Sequence, residues 1–204
     1  MKIGGNIGYF NLQNWWLMAF SDNERRYIEE KYHPMMTSSE DVSLTQGKIS
    51  YSSQTAAQFL WGLASWFTGP QDREVGRKLL EKAQDLNNSQ NGIINILDEH
   101  FILSSMIPIY YQDRDRPGML EKAILACRKQ IDISLQSAKA FLKEYPGDPL
   151  PSHRGYEQLA IILDKQGNYL EAIRLCEQAK SQKWSGDWDK RIERYSKKIT
   201  RKPS

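Results

Sequence analysis

Apolar residues recur along this chain three and four positions apart, in segments divided by short polar breaks, which is the period of amphipathic helices. The clearest segment runs from Tyr156 to Ala179. Tyr156, Leu159, Ala160 and Leu163 form one stripe, Ala172, Leu175, Cys176 and Ala179 a second, and Gly167-Asn168 lies between them where a helix must reverse. This predicts an αα-hairpin over 152–182. Ala160, Ala172 and Ala179 keep bulk away from the crossing so that two backbones approach closely, with Tyr156, Leu163 and Tyr169 filling the space beside them.

The same reading covers the rest of the chain. Residues 1–10 are glycine-rich and read as an irregular arm. A helix over Leu12 to Phe20 is followed by Ser21-Asp22-Asn23-Glu24, a capping box that opens a second helix to Tyr32 with Tyr27, Ile28 and Tyr32 inward. His33-Pro34 ends this N-terminal pair over 1–34, because the residue before proline avoids helical geometry. Residues 35–54 are polar and serine-rich, predicting a surface loop with a short extended piece at Ile49 to Ser52. In 55–86, Leu60, Leu63, Ala64 and Phe67 face Val75, Leu79, Leu80, Ala83 and Leu86 across Thr68-Gly69-Pro70, a second hairpin. Asn87 to Gly92 reads as a connector.

A middle hairpin is predicted over 93–145. Its first helix, Ile93 to Tyr111, turns Ile94, Leu97, Phe101, Met106, Ile107 and Tyr110 inward. A helix from Met119 does the same with Ala123, Cys127 and Ile131, and a further piece from Leu135 to Tyr145 with Ala138, Phe141 and Leu142. Over 185–200, Trp188, Ile192, Tyr195 and Ile199 fall on one face of a helix whose other faces are basic, the pattern of a capping helix. The last residues, Thr200 to Ser204, read as frayed. The fold class expected is all-α: stacked antiparallel hairpins in a single domain spanning 1–204, closed by that helix.

Composition narrows the function classes. A chain of 204 residues is long enough for one substantial core. The net charge of +3 is uneven: residues 180–204 hold nine Lys/Arg against three Asp/Glu, leaving 19 basic and 22 acidic groups before them. Cys127 and Cys176 sit inside apolar helical runs and read as small core residues in a reducing compartment, so the expected location is cytoplasmic. The longest apolar run is nine residues, Phe59 to Phe67, so neither a signal peptide nor a membrane span is expected. His33, His100 and His153 lack metal spacing and read as structural or solvent-facing. Asp98-Glu99-His100 are neighbours that point to different helix faces, which argues against an acid/base cluster. Gly47-Lys48 lacks the flanks of a P-loop, and no nucleophile motif is present, so no enzymatic activity and no cofactor are expected.

Two hairpins share a detail. Ala64 and Gly76 are twelve residues apart, as are Ala160 and Ala172, and Leu80 and Ala83 follow Gly76 as Cys176 and Ala179 follow Ala172. These positions resemble a tetratricopeptide repeat, clearly over 153–186 and more loosely over 55–86. Leu163 and Cys176 stand where that family usually has aromatics, and Trp184 where it usually has proline. Gly76, Ala123 and Ala172 are 47 and 49 residues apart, against a family period of about 34.

The resemblance implies an α-solenoid whose first helices line a groove for a partner peptide or helix. Carried onto this sequence, the groove positions are Arg154, Glu157, Gln158, Ile161, Asp164 and Lys165, and in the looser repeat Gln58, Trp61, Gly62 and Ser65. Trp66 and Trp188 read as core instead. Members of that family that clamp a terminal carboxylate use Lys and Asn where Glu157 and Ile161 stand here, so that ligand is not expected. The implied function is a non-enzymatic interaction scaffold or adaptor whose partner is another protein. The alternative is a nucleic-acid or anionic-surface binder using Lys190, Arg191, Arg194, Lys197 and Lys198 on the last helix.

Overall fold

A computed structural model describes residues 3–33, 43–89 and 94–200. Among the described residues there are eleven α-helices and no strand, one isolated bridge between Ser152 and Ser185 being the nearest thing to sheet pairing. The chain is therefore all-α. Where its length suggested a single domain, contacts cluster into two compact units, Met1–Gln90 and Asn91–Ser204.

The first unit holds α1 (Gly5–Tyr9), α2 (Gln13–Ala19), α3 (Asp22–Lys31), α4 (Ala56–Ala64) and α5 (Arg73–Ser89). Two starts are set by capping boxes, Ser21 with Glu24 and Thr55 with Gln58. The helices α4 and α5 pack along each other, as the 55–86 pattern predicts, over Leu60, Leu63, Ala64, Phe67, Leu79, Leu80 and Ala83. Trp66 departs from the expected core: it is 37% exposed, its ring meeting Tyr32 edge-on. The helix α5 also runs through Asn87, which is buried, so the connector starts later than expected.

The glycine-rich arm is the larger correction. It forms α1, and its backbone docks on residues 44–47: Gly4, Gly5 and Ile7 donate N–H to the carbonyls of Thr45, Gly47 and Leu44 at 2.8, 2.9 and 3.0 Å. A Cβ on Gly5 would lie 2.2 Å from the Ser43 oxygen, and its φ of +55° is one that glycine adopts without strain. Glycine here signals close backbone approach, and the described part of the expected surface loop is tied down, with Leu44 buried; the rest of that loop lies outside the described residues. No extended pairing forms at 49–52.

Polar ties hold α3 in place. The Tyr27 hydroxyl donates to the buried Asp72 carboxylate at 2.6 Å, and Lys31 pairs with its other oxygen. Burial alone would raise the Asp72 carboxyl, but Lys31 and Tyr27 outweigh it and hold it below its usual value. Glu24 bonds Lys78 at 2.8 Å; that contact, followed by the Ser21 N–H, lowers its pKa to about 2.

The second unit holds α6 (Ile96–Gln112), α7 (Met119–Asp132), α8 (Ser134–Glu144), α9 (Arg154–Lys165), α10 (Tyr169–Ser181) and α11 (Trp188–Thr200). Pairs α6/α7 and α9/α10 are joined by short turns and pack against each other, α9 also lies on α7 and α6, and α11 covers α10. The expected stripes Leu159, Ala160, Ala172, Leu175, Cys176 and Ala179 are buried, as are Trp188 and Tyr195, while Ile199 is exposed. Burial pushes the Cys127 thiol up to about 12 and the Cys176 thiol to about 11, which leaves both unreactive.

Several inward expectations over 94–142 are not met. Ile94, before α6, and Leu142 are exposed, Leu97, Phe101 and Ile131 are half-buried, and Gln130, adjacent to Ile131, is buried instead. The start of the middle hairpin at Ile93 and the tail beyond Thr200 lie outside the described residues.

Candidate partner-binding face

The start of α9 is fixed before any of its surface residues come into play. His153 is its N-cap, its Nδ1 accepting the Tyr156 N–H at 3.4 Å. The next orphan donor, Gly155 N–H, bonds Gln130 Oε1 at 2.6 Å, and Gln130 Nε2 donates on to the His100 carbonyl at 2.9 Å. One fully buried amide thus ties the end of α7 to α6 and to α9. A Cβ on Gly155 would meet the Cys127 carbonyl at 2.8 Å, so nothing larger fits there.

Around this tie lies an aromatic cluster. His100 stacks on Trp184 at 5.4 Å and meets His153 edge-on at 5.2 Å, and Phe141 packs against both His100 and Trp184. Burial lowers the His100 pKa to about 4, and burial followed by the neighbouring His100 lowers His153 to about 3, so both are neutral near pH 7. His100 Nδ1 and His153 Nε2 have no hydrogen-bond partner. These two histidines are structural; only His33, of the three, faces solvent. Asp98 and Glu99 are buried beside His100 rather than splayed to solvent.

The predicted groove residues separate into two groups. Gln58, Trp61, Gly62 and Ser65 are on α4 in the first unit, and Arg154, Glu157, Gln158, Ile161, Asp164 and Lys165 on α9 in the second. Gln58 is engaged in the Thr55 capping box, accepting its N–H at 3.0 Å, and the Ser65 hydroxyl donates to the Gly62 carbonyl at 2.7 Å. Trp61 is half-buried.

On α9, Asp164 accepts two hydrogen bonds from Lys198 of α11 at 2.6 and 2.8 Å, and the Lys165 ammonium lies 5.4 Å from the Tyr111 ring centroid. These two fasten α9 to its neighbours. Arg154 is exposed and Glu157, Gln158 and Ile161 are half-buried, and among the described residues no ion pair or side-chain hydrogen bond engages the four of them.

The basic face of α11 is largely answered from within. Lys198 pairs with Asp164, Lys197 with Glu193, Arg191 with Asp187, and Arg194 reaches the Tyr195 hydroxyl at 3.2 Å and lies over that ring. Lys190 projects into solvent. Sequence reasoning missed Gln130, although its place three residues after Cys127 and seven after Ala123 on the apolar stripe of α7 was a signal.

Among the described residues no helix is long and apolar enough to cross a membrane, and no group of three or more His, Cys, Asp or Glu could hold a metal ion. No family model, curated protein or solved structure matches this chain.

Proposed function

We propose that this protein is a non-enzymatic adaptor whose second unit binds a partner peptide or helix along the open face of α9. The observation that carries this reading is the state of Arg154, Glu157 and Ile161: a half-buried apolar side chain flanked by a cation and an anion, on a helix tied at both ends, none held by an ion pair or side-chain hydrogen bond among the described residues, while the amide nitrogen of Gln158 beside them is buried. The resemblance of 153–186 to a tetratricopeptide repeat supports it, since first-helix positions of such hairpins are the ones that face a ligand. A helix held at its start by Gln130 and at its end by Lys198 offers a preformed surface, so little ordering opposes binding. The internal ion pairs of α11 count against the nucleic-acid alternative, because a cation already neutralised releases little from a phosphate backbone.

The test places a photocrosslinking amino acid at position 161 and, as a control, at the exposed position 174 of α10, in the native cell. A discrete adduct at 161, absent at 174 and lost on Arg154→Glu, is the expected result. The same adducts at both positions, or no effect of Arg154→Glu, would overturn the reading.

A further inference from the structure

Away from the face of α9, the second unit has a cavity of about 230 Å³ where α8 ends and the segment 146–151 turns back toward α9. Its walls are Phe101, Phe141, Tyr145, Asp148 and the Pro149–Pro151 segment. Phe101 and Phe141 meet at 86° with centroids 5.6 Å apart, and Tyr145, one turn beyond Phe141, is tilted 30° from it at 6.4 Å. An aromatic face carries negative potential and its edge positive, so in this edge-to-face pair one face is taken up by the neighbouring ring, and a cation in the cavity gains wherever it meets a remaining face. Asp148 adds a formal negative charge at an exposed position, and among the described residues no cation pairs with it.

The backbone of this corner selects for the same charge. Pro149 and Pro151 have no N–H to offer, and the Asp148 N–H is already given to the Tyr145 carbonyl at 3.3 Å. An anion or a carbonyl would therefore find few donors, and a carboxylate against it. His100 backs both phenylalanine rings, with centroids 5.7 and 5.1 Å away, and its neutral state near pH 7 puts no cation beneath them. A space of this volume is below the roughly 300–1,000 Å³ of pockets for drug-sized ligands, which favours a compact head group.

We propose that this cavity is a receptor for an alkylammonium head group, either a free quaternary amine or the methylated ammonium of a lysine on another protein. Methyl groups spread the charge over an apolar surface that the rings can meet, whereas a bare ammonium would surrender strong hydration. The site is separate from the face of α9 and does not depend on the adaptor reading.

The experiment titrates the full chain with choline and with its neutral carbon analogue 3,3-dimethylbutan-1-ol at constant ionic strength, reading backbone amide shifts at Tyr145, Asp148 and Leu150. Choline is expected to give saturable shifts there and to bind about ten-fold more tightly than the alcohol, the difference a desolvated cation–π contact supplies. Asp148→Asn and Tyr145→Ala, both at exposed positions outside the core, are expected to weaken choline several-fold while leaving the helical circular dichroism unchanged. No saturation by about 0.1 M choline, equal binding of the alcohol, or wild-type affinity in both variants would overturn the proposal. A short trimethyl-lysine peptide separates the sources: binding well above that of choline assigns the site to a partner protein, and equal binding assigns it to a small quaternary amine.

Discussion

Replacing Gln130 with methionine keeps the length and bulk of the side chain and removes both of its hydrogen bonds. The two partners are not equally dependent on it. His100 lies inside α6, where its carbonyl keeps a helical donor, whereas Gly155 N–H is in the first turn of α9 and has no helical acceptor. Orphaning that buried donor costs about 1–3 kcal/mol, and losing the bond to the His100 carbonyl costs about another 1 kcal/mol. The second unit is therefore expected to lose about 2–4 kcal/mol, a large part of the roughly 5–15 kcal/mol typical of a domain. Urea unfolding combined with hydrogen exchange at the amides of Leu159 and Cys176 measures it, with Gln136→Met on the exposed side of α8 as a control expected to stay within about 0.5 kcal/mol. A loss below about 0.5 kcal/mol for Gln130→Met, with unchanged urea dependence, would refute the argument that this amide ties three helices together.

Two further outcomes are expected. Because His100 and His153 take up protons less readily folded than unfolded, their contribution to stability is fully present above about pH 6.5 and is lost as pH falls toward their folded values of about 4 and 3, at about 1.4 kcal/mol per pH unit for each; urea midpoints between about pH 7 and pH 5 should drop, and His100→Phe should flatten the profile, while an equal slope in that variant would count against it. Gly62 sits inside α4 with open space where a Cβ would go, so Gly62→Ala should raise the thermal midpoint of the first unit, a gain of about 0.5–1 kcal/mol, and a fall would show an approach to that backbone which its surroundings do not explain.

What the sequence made legible was whatever repeats at short range. The stripes of α5, α9, α10 and α11 and the capping box at Ser21 depend on residues three or four apart, and their boundaries come out within a few positions, whereas the box of Thr55 with Gln58 emerged only from the structure. The polar interior was not legible, because burial of Gln130, His100 or His153 is decided largely by partners 25 to 84 residues away that complete or surround them. His153 looks like linker until the orphan N–H of Tyr156 needs an acceptor. Family position likewise assigned Asp164 and Lys165 to a ligand, when Lys198 and Tyr111 claim them. In the arm, glycine suggested disorder of shape but is there because the backbone of 44–47 lies too close for a side chain.

The irregular spacing of the small residues has a physical reading in these units. The interval from Gly76 to Ala123 crosses the boundary between the two compact units, so it measures no repeat at all. The interval from Ala123 to Ala172 is long because it contains α8 and the segment 145–153, which is mostly exposed but anchored by a few buried residues. Together the two supply Phe141 and Leu150 to the core, the Ser152–Ser185 bridge, and the N-cap of α9. Phe141 of this stretch packs against His100 and Trp184 and so covers them at this end of the helices. The outer side of the stretch is then free to depart from packing requirements, and it is there, between Tyr145 and Pro151, that the aromatic cavity with its lone carboxylate lies.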